Sequence, residues 1–225
     1  MFFNPFAAGF IVLFFLLVVF LFVFVQVNLI ALAFTQIGIP SEYIFTALAA
    51  ILIGSIVNIP VAKIPQDNIV TGRTIRFFGM KYVLPAWRRQ ETIVAVNVGG
   101  AVIPCLLSTY LLLKTGLWVQ VVIATAVIAF ITYRMATPLR GVGIALPAFI
   151  PPLLAAFVSL LVAYSHAPVV AYICGTMGTL IGADLLRMKD LSQLGATVAS
   201  IGGAGTFDGI FLNGVLAVLL SVIFV

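Results

Sequence analysis

The chain has 225 residues, of which 64% are hydrophobic and only 8% are charged. Soluble domains carry about 25% charged residues, so this composition excludes an ordinary soluble domain. The apolar residues form continuous runs rather than alternating with polar ones, which excludes a membrane β-barrel. The net charge of +5 comes from cations clustered in a few connections, so nucleic-acid binding is not expected either.

The apolar runs predict an all-α, polytopic helical membrane protein that forms one domain over residues 1–225 and lies in a lipid bilayer. The first run is longer than the apolar part of a signal peptide and no basic residues precede it, so we expect it to be retained. The sequence predicts seven transmembrane helices over residues 7–33, 43–61, 93–113, 117–133, 141–163, 169–186 and 208–225.

The positions of the cations predict the orientation of these helices. All Lys and Arg residues except Lys114 fall in the connections after the second, fourth and sixth predicted helices. Cytoplasmic connections of membrane proteins are enriched in Lys and Arg. We therefore expect a multi-pass protein of the cell membrane with its amino terminus in the cytoplasm and its carboxyl terminus outside.

Two connections have distinctive sequences. Within the cytoplasmic or interfacial connector 63–92, β-type residues lie on both sides of Gly79, which predicts a short β-hairpin. The aromatic and basic residues of this connector favour contact with lipid headgroups over a partner-binding domain. Residues 191–207 are apolar and rich in glycine, and they predict either a re-entrant segment or a glycine-rich loop before the last helix.

Prolines and glycines indicate how two of the helices are built. Pro147, Pro151 and Pro152 predict a kinked or interrupted fifth helix, because proline removes a backbone donor and clashes with the preceding turn. In the sixth helix, Gly178 and Gly182 form a pattern of small residues four apart that favours close packing on a neighbouring helix. At 100° per residue, Asp184 points away from that stripe.

Two carboxylates stand out because the sequence around them is apolar. Asp184 ends the sixth predicted helix and Asp208 begins the seventh. A carboxylate in a membrane segment costs about 2.5–3.5 kcal/mol on insertion scales, so both are candidate functional residues. The predicted topology places other polar or small residues at the same depth, and we assign these to a shared pocket: Asn58, Asn97, Gly99, Gly100, Gly203 and Gly205.

Structural roles for the two carboxylates remain open at this point. Asp184 would also fit an ion pair with Arg187 or a position at the water boundary. Asp208 would also fit the amino-terminal cap of the last helix, where the helix dipole favours a negative charge.

Cofactor chemistry is not expected from this sequence. Cys105 and Cys174 lie in apolar segments and His166 is the only histidine, so no ligand spacing typical of a metal site occurs. The sequence also lacks the Gly-x-Ser-x-Gly motif of serine hydrolases. We therefore predict neither a metal nor an organic cofactor.

Three segments resemble a largely uncharacterised family of bacterial and archaeal integral membrane proteins known by a domain-of-unknown-function label. The resemblance covers most of the chain, and it implies a polytopic membrane fold without implying an activity. The segments are residues 94–104 (Val-Ala-Val-Asn-Val-Gly-Gly-Ala-Val-Ile-Pro), 182–185 (Gly-Ala-Asp-Leu) and 201–211 (Ile-Gly-Gly-Ala-Gly-Thr-Phe-Asp-Gly-Ile-Phe).

The pair Asp184 and Asp208 is also similar, more distantly, to the pair in presenilin-like and prepilin-peptidase-like intramembrane aspartyl proteases. Those enzymes place one Asp on one helix and the second in a Gly-x-Gly-Asp motif on another. Here Thr206 and Phe207 separate Gly205 from Asp208, and no Tyr precedes Asp184. The similarity implies an aspartic-type peptidase that cleaves a transmembrane peptide.

Two other functions fit the same sequence. An ion- or proton-coupled transporter or channel would use the two Asp side chains to bind the ion. A non-catalytic membrane scaffold would use them as helix caps. We expect an aspartyl protease-like function first and a transporter second, and the sequence fixes neither the substrate nor the oligomeric state.

Overall fold

The computed structural model describes residues 5–65, 74–77, 80–83, 91–139, 143–193, 198–203 and 209–225. Within these ranges the chain is mainly helical. The α-helices are α1 (Pro5–Gln36), α2 (Ser41–Gly54), α3 (Ile103–Thr115), α4 (Trp118–Met135), α5 (Ile150–Val162), α6 (Ala167–Thr179) and α7 (Gly209–Val222). The strands are β1 (Asn58–Pro65), β2 (Thr74–Phe77), β3 (Met80–Val83), β4 (Glu91–Asn97), β5 (Thr137–Leu139), β6 (Gly143–Ala145) and β7 (Val198–Ile201).

Tighter and wider helical turns lie next to two of these helices, α3 and α6. A π-helical turn, Val98–Val102, leads into α3, and a second one, Leu180–Leu185, continues α6. The 3-10 turns Tyr164–His166 and Met188–Gln193 lie before α6 and after its π-helical extension. Wide turns of the π type are often found at functional sites, and both occur next to predicted site residues.

A three-stranded sheet shows that the prediction of an all-α fold was wrong. The strand order is β1-β4-β7, with β1 and β4 antiparallel and β4 and β7 parallel. The predicted helices 43–61 and 93–113 therefore ran too far into this region, since α2 ends at Gly54 and residues 93–97 belong to β4. A short apolar run rich in Val and Ile fits a buried strand as well as a helix, so the spacing of its apolar residues did not distinguish a strand from a helix.

Prolines lie where the described secondary structure tolerates them. Pro60 is on the edge strand β1, beside a register shift between Pro60 and Ala62. Pro151 and Pro152 occupy the first turn of α5. Backbone N–H groups in the first turn have no acceptor within the helix, so the N–H that proline lacks is not needed there. The predicted helix 141–163 is interrupted, because α5 begins only at Ile150 and β6 precedes it.

Two antiparallel strand pairs lie outside the larger sheet. β2 and β3 pair from Thr74 opposite Val83 to Phe77 opposite Met80, which confirms the hairpin predicted around Gly79. β5 and β6 form a second small pair that the sequence analysis did not predict. In residues 191–207, β7 is a strand of the main sheet, and a re-entrant course for this segment stays a prediction.

Four helical stretches in the described part of the chain are long and apolar enough to cross a membrane: Leu13–Gln36, Val98–Thr115, Trp118–Met135 and Tyr164–Asp190. α2, α5 and α7 are apolar but have only 13 or 14 residues. A spanning helix needs about 17 residues or more, so four of the seven predicted spans have the required length.

α6 is the central helix of the bundle. All its residues except Pro168 and Met177 are buried, and it packs against α3, α4, α5 and α7. A helix that is apolar on all sides is expected in such a position. α1 differs, because residues 13–29 are exposed and only its last turns pack on the bundle, where the ring of Phe34 meets Phe211 of α7 edge to face.

Gly178 and Gly182 allow α6 and its π-helical extension to lie close to α4. A Cβ on Gly178 would lie 2.7 Å from the Cβ of Ile128, and one on Gly182 would overlap the carbonyl oxygen of Ala129. Thr132 Oγ1 donates a hydrogen bond to Gly178 O at 3.1 Å across the same contact. The predicted packing role of the two glycines is confirmed.

We expect Gly182→Ala to destabilise the protein, because the added methyl group meets the α4 backbone and cannot be accommodated by a side-chain rotation. Overpacking of this kind costs about 2 kcal/mol. The midpoint of thermal unfolding in detergent should therefore fall by roughly 4–8 °C.

Gly209→Ala is the matched control, since a Cβ on Gly209 would meet no described atom within 4 Å. Its midpoint should stay equal to or above that of the wild type, because Ala is the better helix former. Equal midpoints for both variants would contradict the close packing of α4 on α6.

Candidate functional site

Asn97 ties together the elements at one end of the bundle. Its side chain is only 1% exposed. Nδ2 donates to Ser55 O at 2.7 Å and to Asn58 Oδ1 at 3.2 Å, while Oδ1 accepts from Gly100 N at 2.7 Å. Helix ends leave backbone groups without partners inside the helix, and buried ones need partners elsewhere. Asn97 thus satisfies a carbonyl just after α2 and an N–H of the turn that leads into α3.

Asn58 extends this network to β7 and to the protein surface. It is the first residue of β1 and lies opposite Asn97 in the β1–β4 ladder. Its Oδ1 also accepts a hydrogen bond from Ser200 Oγ at 2.7 Å. Asn58 is exposed whereas Asn97 is buried, so the network runs from the surface into the protein.

Asp184 lies beside the end of β7. It is half-buried in the π-helical turn Leu180–Leu185, and its Oδ2 accepts a hydrogen bond from Gly202 N at 3.2 Å. Gly202 and Gly203 follow β7 with φ values of 84° and 83°, a conformation that glycine adopts without steric cost. The chain therefore turns sharply after β7 and directs a main-chain N–H at the carboxylate.

Glycines bring three backbones into contact next to this carboxylate. A Cβ on Gly54 would lie 3.0 Å from Gly99 N, and a Cβ on Gly202 would lie 2.6 Å from the Cβ of Ala101. The end of α2, the turn before α3 and the turn after β7 are therefore closely packed. Gly99 and Gly100, predicted as pocket residues, are both buried in this contact.

The predicted site residues fall into two groups. One group is a connected cluster of Asn58, Asn97, Gly99 and Gly100. Asp184 joins this cluster through its hydrogen bond with Gly202, and Gly203 is the next residue in the chain. Gly205 and Asp208 lie outside the described residues. The local elements also differ from the prediction, because Asn58 begins a strand and Asn97 ends one instead of lying on helices.

The start of α7 lies at the same end of the bundle as Asp184. Asn213 of α7 donates to Gly175 O at 2.9 Å and to Thr179 Oγ1, and α7 runs antiparallel to α6. Asp184 follows Thr179 by five residues, and Gly209 precedes Asn213 by four. At 1.5 Å per residue these two stretches cover about 7.5 Å and about 6 Å, so Gly209 and Asp184 lie within about one helical turn of each other along the bundle.

Asn213 was not predicted from the sequence as a site residue. Its side chain is 4% exposed, and its Oδ1 has no hydrogen-bond partner among the described residues. The buried side chains of Tyr172 and Thr176 pack beside it, against Gly214. Polar side chains are costly in an apolar helix. Asn213 is the sole amide residue of the last apolar run, and this position in the sequence marks it as a candidate functional residue.

The guanidinium of Arg187 is held by groups other than the cluster described above. It forms an ion pair with Asp190 at 2.9 Å, donates to Tyr133 O at 2.8 Å, and lies 4.4 Å from the centre of the Tyr133 ring. This geometry favours an anchoring role for Arg187 at the ends of α4 and α6. The carboxylate that forms this ion pair with Arg187 is that of Asp190.

The donor set of the cluster is one carboxylate together with amide, hydroxyl and main-chain groups. Within the described ranges, no group of three or more His, Cys, Asp or Glu side chains is placed to hold a metal ion. Such a set can orient water and an amide substrate through hydrogen bonds, and its carboxylate can accept a proton.

Residues 52–220 match the family described as a protein of unknown function (DUF1614), which is more than half of the chain. The chain belongs to this family. The match begins within α2 and ends within α7, so it contains the three-stranded sheet and every predicted site residue, and it leaves out α1. Neither the curated proteins nor the solved structures contain a match to the chain.

We expect Asn97→Leu to destabilise the protein strongly, because Ser55 O and Gly100 N would lose their partner while staying buried. Each such loss costs about 1–3 kcal/mol. The free energy of unfolding in detergent should fall by about 2–6 kcal/mol, measured from denaturant or thermal unfolding.

Asn28→Leu is the control, because Asn28 is exposed and its side-chain hydrogen bond within the described part of the chain is to Phe24 O of its own helix. Its effect should stay within about 0.5 kcal/mol. If both variants unfolded alike, Asn97 would not hold the cluster together.

Proposed function

We propose that the chain is a multi-pass membrane protein in which Asp184 and Asp208 form an aspartyl-type pair that hydrolyses peptide bonds at the membrane. The observation that carries this proposal is the half-buried Asp184 carboxylate, oriented by Gly202 N–H at the end of β7. Asp208 immediately precedes Gly209, and Gly209 begins α7 within about one helical turn of Asp184 along the bundle.

The chemistry follows from two carboxyl groups that share one proton. Close carboxylates do not both ionise, so the pair titrates as a unit. The ionised group takes a proton from water, whose oxygen attacks the peptide carbonyl carbon, while the neutral group donates a hydrogen bond to the carbonyl oxygen. Collapse of the tetrahedral intermediate breaks the C–N bond, and the amine leaves with a proton from the pair.

Strand β7 supplies a place for an extended peptide next to Asp184. Within the described chain β7 is an edge strand of the sheet, since it pairs only with β4. An edge strand presents free main-chain groups and can add a peptide as a further strand. A peptide held there has its amide bonds exposed, whereas a helical segment has them engaged in its own hydrogen bonds.

The remaining predicted pocket residues support this arrangement. Asn58 and Asn97 fix β1 and β4 relative to each other, and Gly99 and Gly100 allow the backbones to approach. Gly203 and Gly205 belong to the segment between β7 and Asp208. The distribution of Lys and Arg supports an orientation in which this end of the bundle faces the cytoplasm, with the amino terminus inside and the carboxyl terminus outside the cell membrane.

We expect Asp184→Asn and Asp208→Asn each to lower peptide hydrolysis at least 100-fold, because the pair loses its base or its acid. Cleavage is measured by mass spectrometry on a single-span reporter protein reconstituted in liposomes with the purified chain. A biotinylated hydroxyethylene peptide, which mimics the tetrahedral intermediate, should bind to the wild type and to neither variant, as measured by its retention on streptavidin.

Asp190→Asn is the matched control, because Asp190 is the partner of Arg187 and lies outside the proposed pair. The Asp190→Asn variant should still cleave the reporter protein and bind the hydroxyethylene peptide. Hydrolysis that survives Asp184→Asn in a folded protein would refute the proposed chemistry. If the wild-type chain is folded but inactive in every assay, the non-catalytic scaffold is the function that remains.

Ion-coupled transport is the second candidate, and the buried polar groups around Asn213 favour it. Asn213 Oδ1, the hydroxyl of Thr179 and the carbonyl of Gly175 place neutral oxygens between α6 and α7, at the centre of the bundle. Neutral oxygens in a membrane interior can replace part of the hydration shell of a monovalent cation. Asp184 lies on the same helix pair, nearer the end of the bundle.

If the chain is a carrier, Asn213→Leu should abolish sodium or proton flux into liposomes, whereas Asn28→Leu should not change it. Flux is followed with an ion-sensitive dye inside the liposomes. A carrier should show no proteolysis of the reporter protein, so the two assays together separate the candidates.

A further inference from the structure

The exposed part of α1 carries an amide side chain that faces away from the bundle. Asn28 is exposed, whereas Ile30, Ala33 and Phe34 are buried where the last turns of α1 pack on the bundle. At 100° per residue, Asn28 lies about 160° from Ile30 and about 140° from Ala33 around the helix. Asn28 therefore lies on the outer face of α1.

Asn28 also lies within the apolar part of α1. The stretch Leu13–Gln36 is long and apolar enough to cross a membrane. The hydrocarbon core of a bilayer corresponds to about 20 helical residues, and every window of that length within this stretch contains Asn28. An amide in hydrocarbon has no water to bond to, so its polar atoms need partners that a protein supplies.

The helix itself satisfies only part of the Asn28 amide. Nδ2 donates a hydrogen bond to Phe24 O at 2.7 Å. Within the described part of the chain, Oδ1 accepts no hydrogen bond. Acyl chains cannot donate one, and because Asn28 is exposed, a donor outside this copy of the chain can reach it.

The residues on the same face as Asn28 form a regular apolar seam. The exposed residues that precede Asn28 at spacings of three and four are Phe14, Leu17, Leu21 and Phe24. These spacings are those of the a and d positions of a left-handed coiled coil, and most membrane helices pair with the same crossing angle. From Phe14 to Asn28 the seam is about 21 Å long.

A second copy of the chain has the chemistry that this face requires. A carboxamide carries both a donor and an acceptor, so two Asn28 side chains can bond to each other. A multi-pass protein inserts with one orientation, so Asn28 lies at the same depth in every copy. A two-fold axis along the membrane normal then brings the same face of two copies together.

We propose that two copies of the chain pair through the outer face of α1, with the Asn28 amides of the two copies hydrogen-bonded to each other. One amide within the seam fixes the register of the two helices, as a single Asn at an a position does in coiled coils. The contact leaves the bundle of each copy unchanged. It does not involve Asp184 and does not depend on the proposed peptidase function.

Association is measured by energy transfer between donor-labelled and acceptor-labelled full chains in phosphatidylcholine liposomes, over a range of lipid-to-protein ratios. The labels are carried on a short tag at the carboxyl terminus. We expect energy transfer in the wild type that falls on dilution with lipid, as it does for a reversible dimer. Asn28→Leu should weaken the dimer about tenfold, the order of magnitude that hydrogen bonds between membrane helices contribute.

Gln26→Leu is the matched control, because Gln26 is also an exposed amide of α1 but lies about 160° from Asn28, on the side of Ile30. It should associate like the wild type. Asn28→Gln keeps an amide at this position and should retain more of the association than Asn28→Leu. Asn28→Leu leaves each bundle folded, since Asn28 lies outside the packed turns of α1.

Disulfide cross-linking identifies the face that makes the contact. Leu21 lies on the seam, about 20° from Asn28, whereas Val19 lies on the opposite side of the helix, and both are exposed. On oxidation, Leu21→Cys should link two copies. Val19→Cys should link no more than the natural chain, whose cysteines are Cys105 and Cys174.

A wild type without energy transfer at any ratio would overturn the proposal and leave lipid, or a helix of another protein, as the occupant of this face. Association unchanged by Asn28→Leu would overturn the role of the amide. Cross-linking at Val19 instead of Leu21 would overturn the choice of face. Equal weakening by Gln26→Leu and Asn28→Leu would count against a specific pairing.

Discussion

The fold depends on satisfying backbone groups at the place where helices give way to strands. α2 stops at Gly54 and α3 is reached only through β4 and a π-helical turn, so several N–H and C=O groups lie outside regular helices. Asn97 meets this need with one amide side chain that bonds to Ser55 O, Asn58 and Gly100 N. In apolar surroundings such groups have no water to bond to, so a non-helical stretch persists only where the protein itself supplies partners.

The helices could be read from the sequence, whereas the sheet could not. Long apolar runs fix α1, α4 and α6 closely, because length and composition alone distinguish a helix of that size. β4 has the sequence Glu-Thr-Ile-Val-Ala-Val-Asn, which is too short and too uniformly apolar for its period to be recognised. Its partners β1 and β7 are distant in sequence, and pairing across such distances leaves no local signal.

The same distinction holds for the candidate site. A polar residue in an apolar segment is energetically costly, so it stands out as a candidate site residue. This is why the sequence predicted Asp184, Asn58 and Asn97 as site residues. The hydrogen bond from Gly202 to Asp184 was not predictable, because it depends on a turn whose φ values are set by the tertiary structure. Asn213 was not predicted although it carries the same signal as Asn97, because it lies inside the last helix and not at its end, where the predicted pocket residues fall.

The lengths of α5 and α7 have a consequence for the surrounding lipid. With 13 and 14 residues, these helices are about 20 Å long, while the hydrocarbon core of a bilayer is about 30 Å thick. A protein wall shorter than the bilayer is accommodated by local compression of the acyl chains. In a bilayer, headgroups and water would then be drawn inward beside α5 and α7.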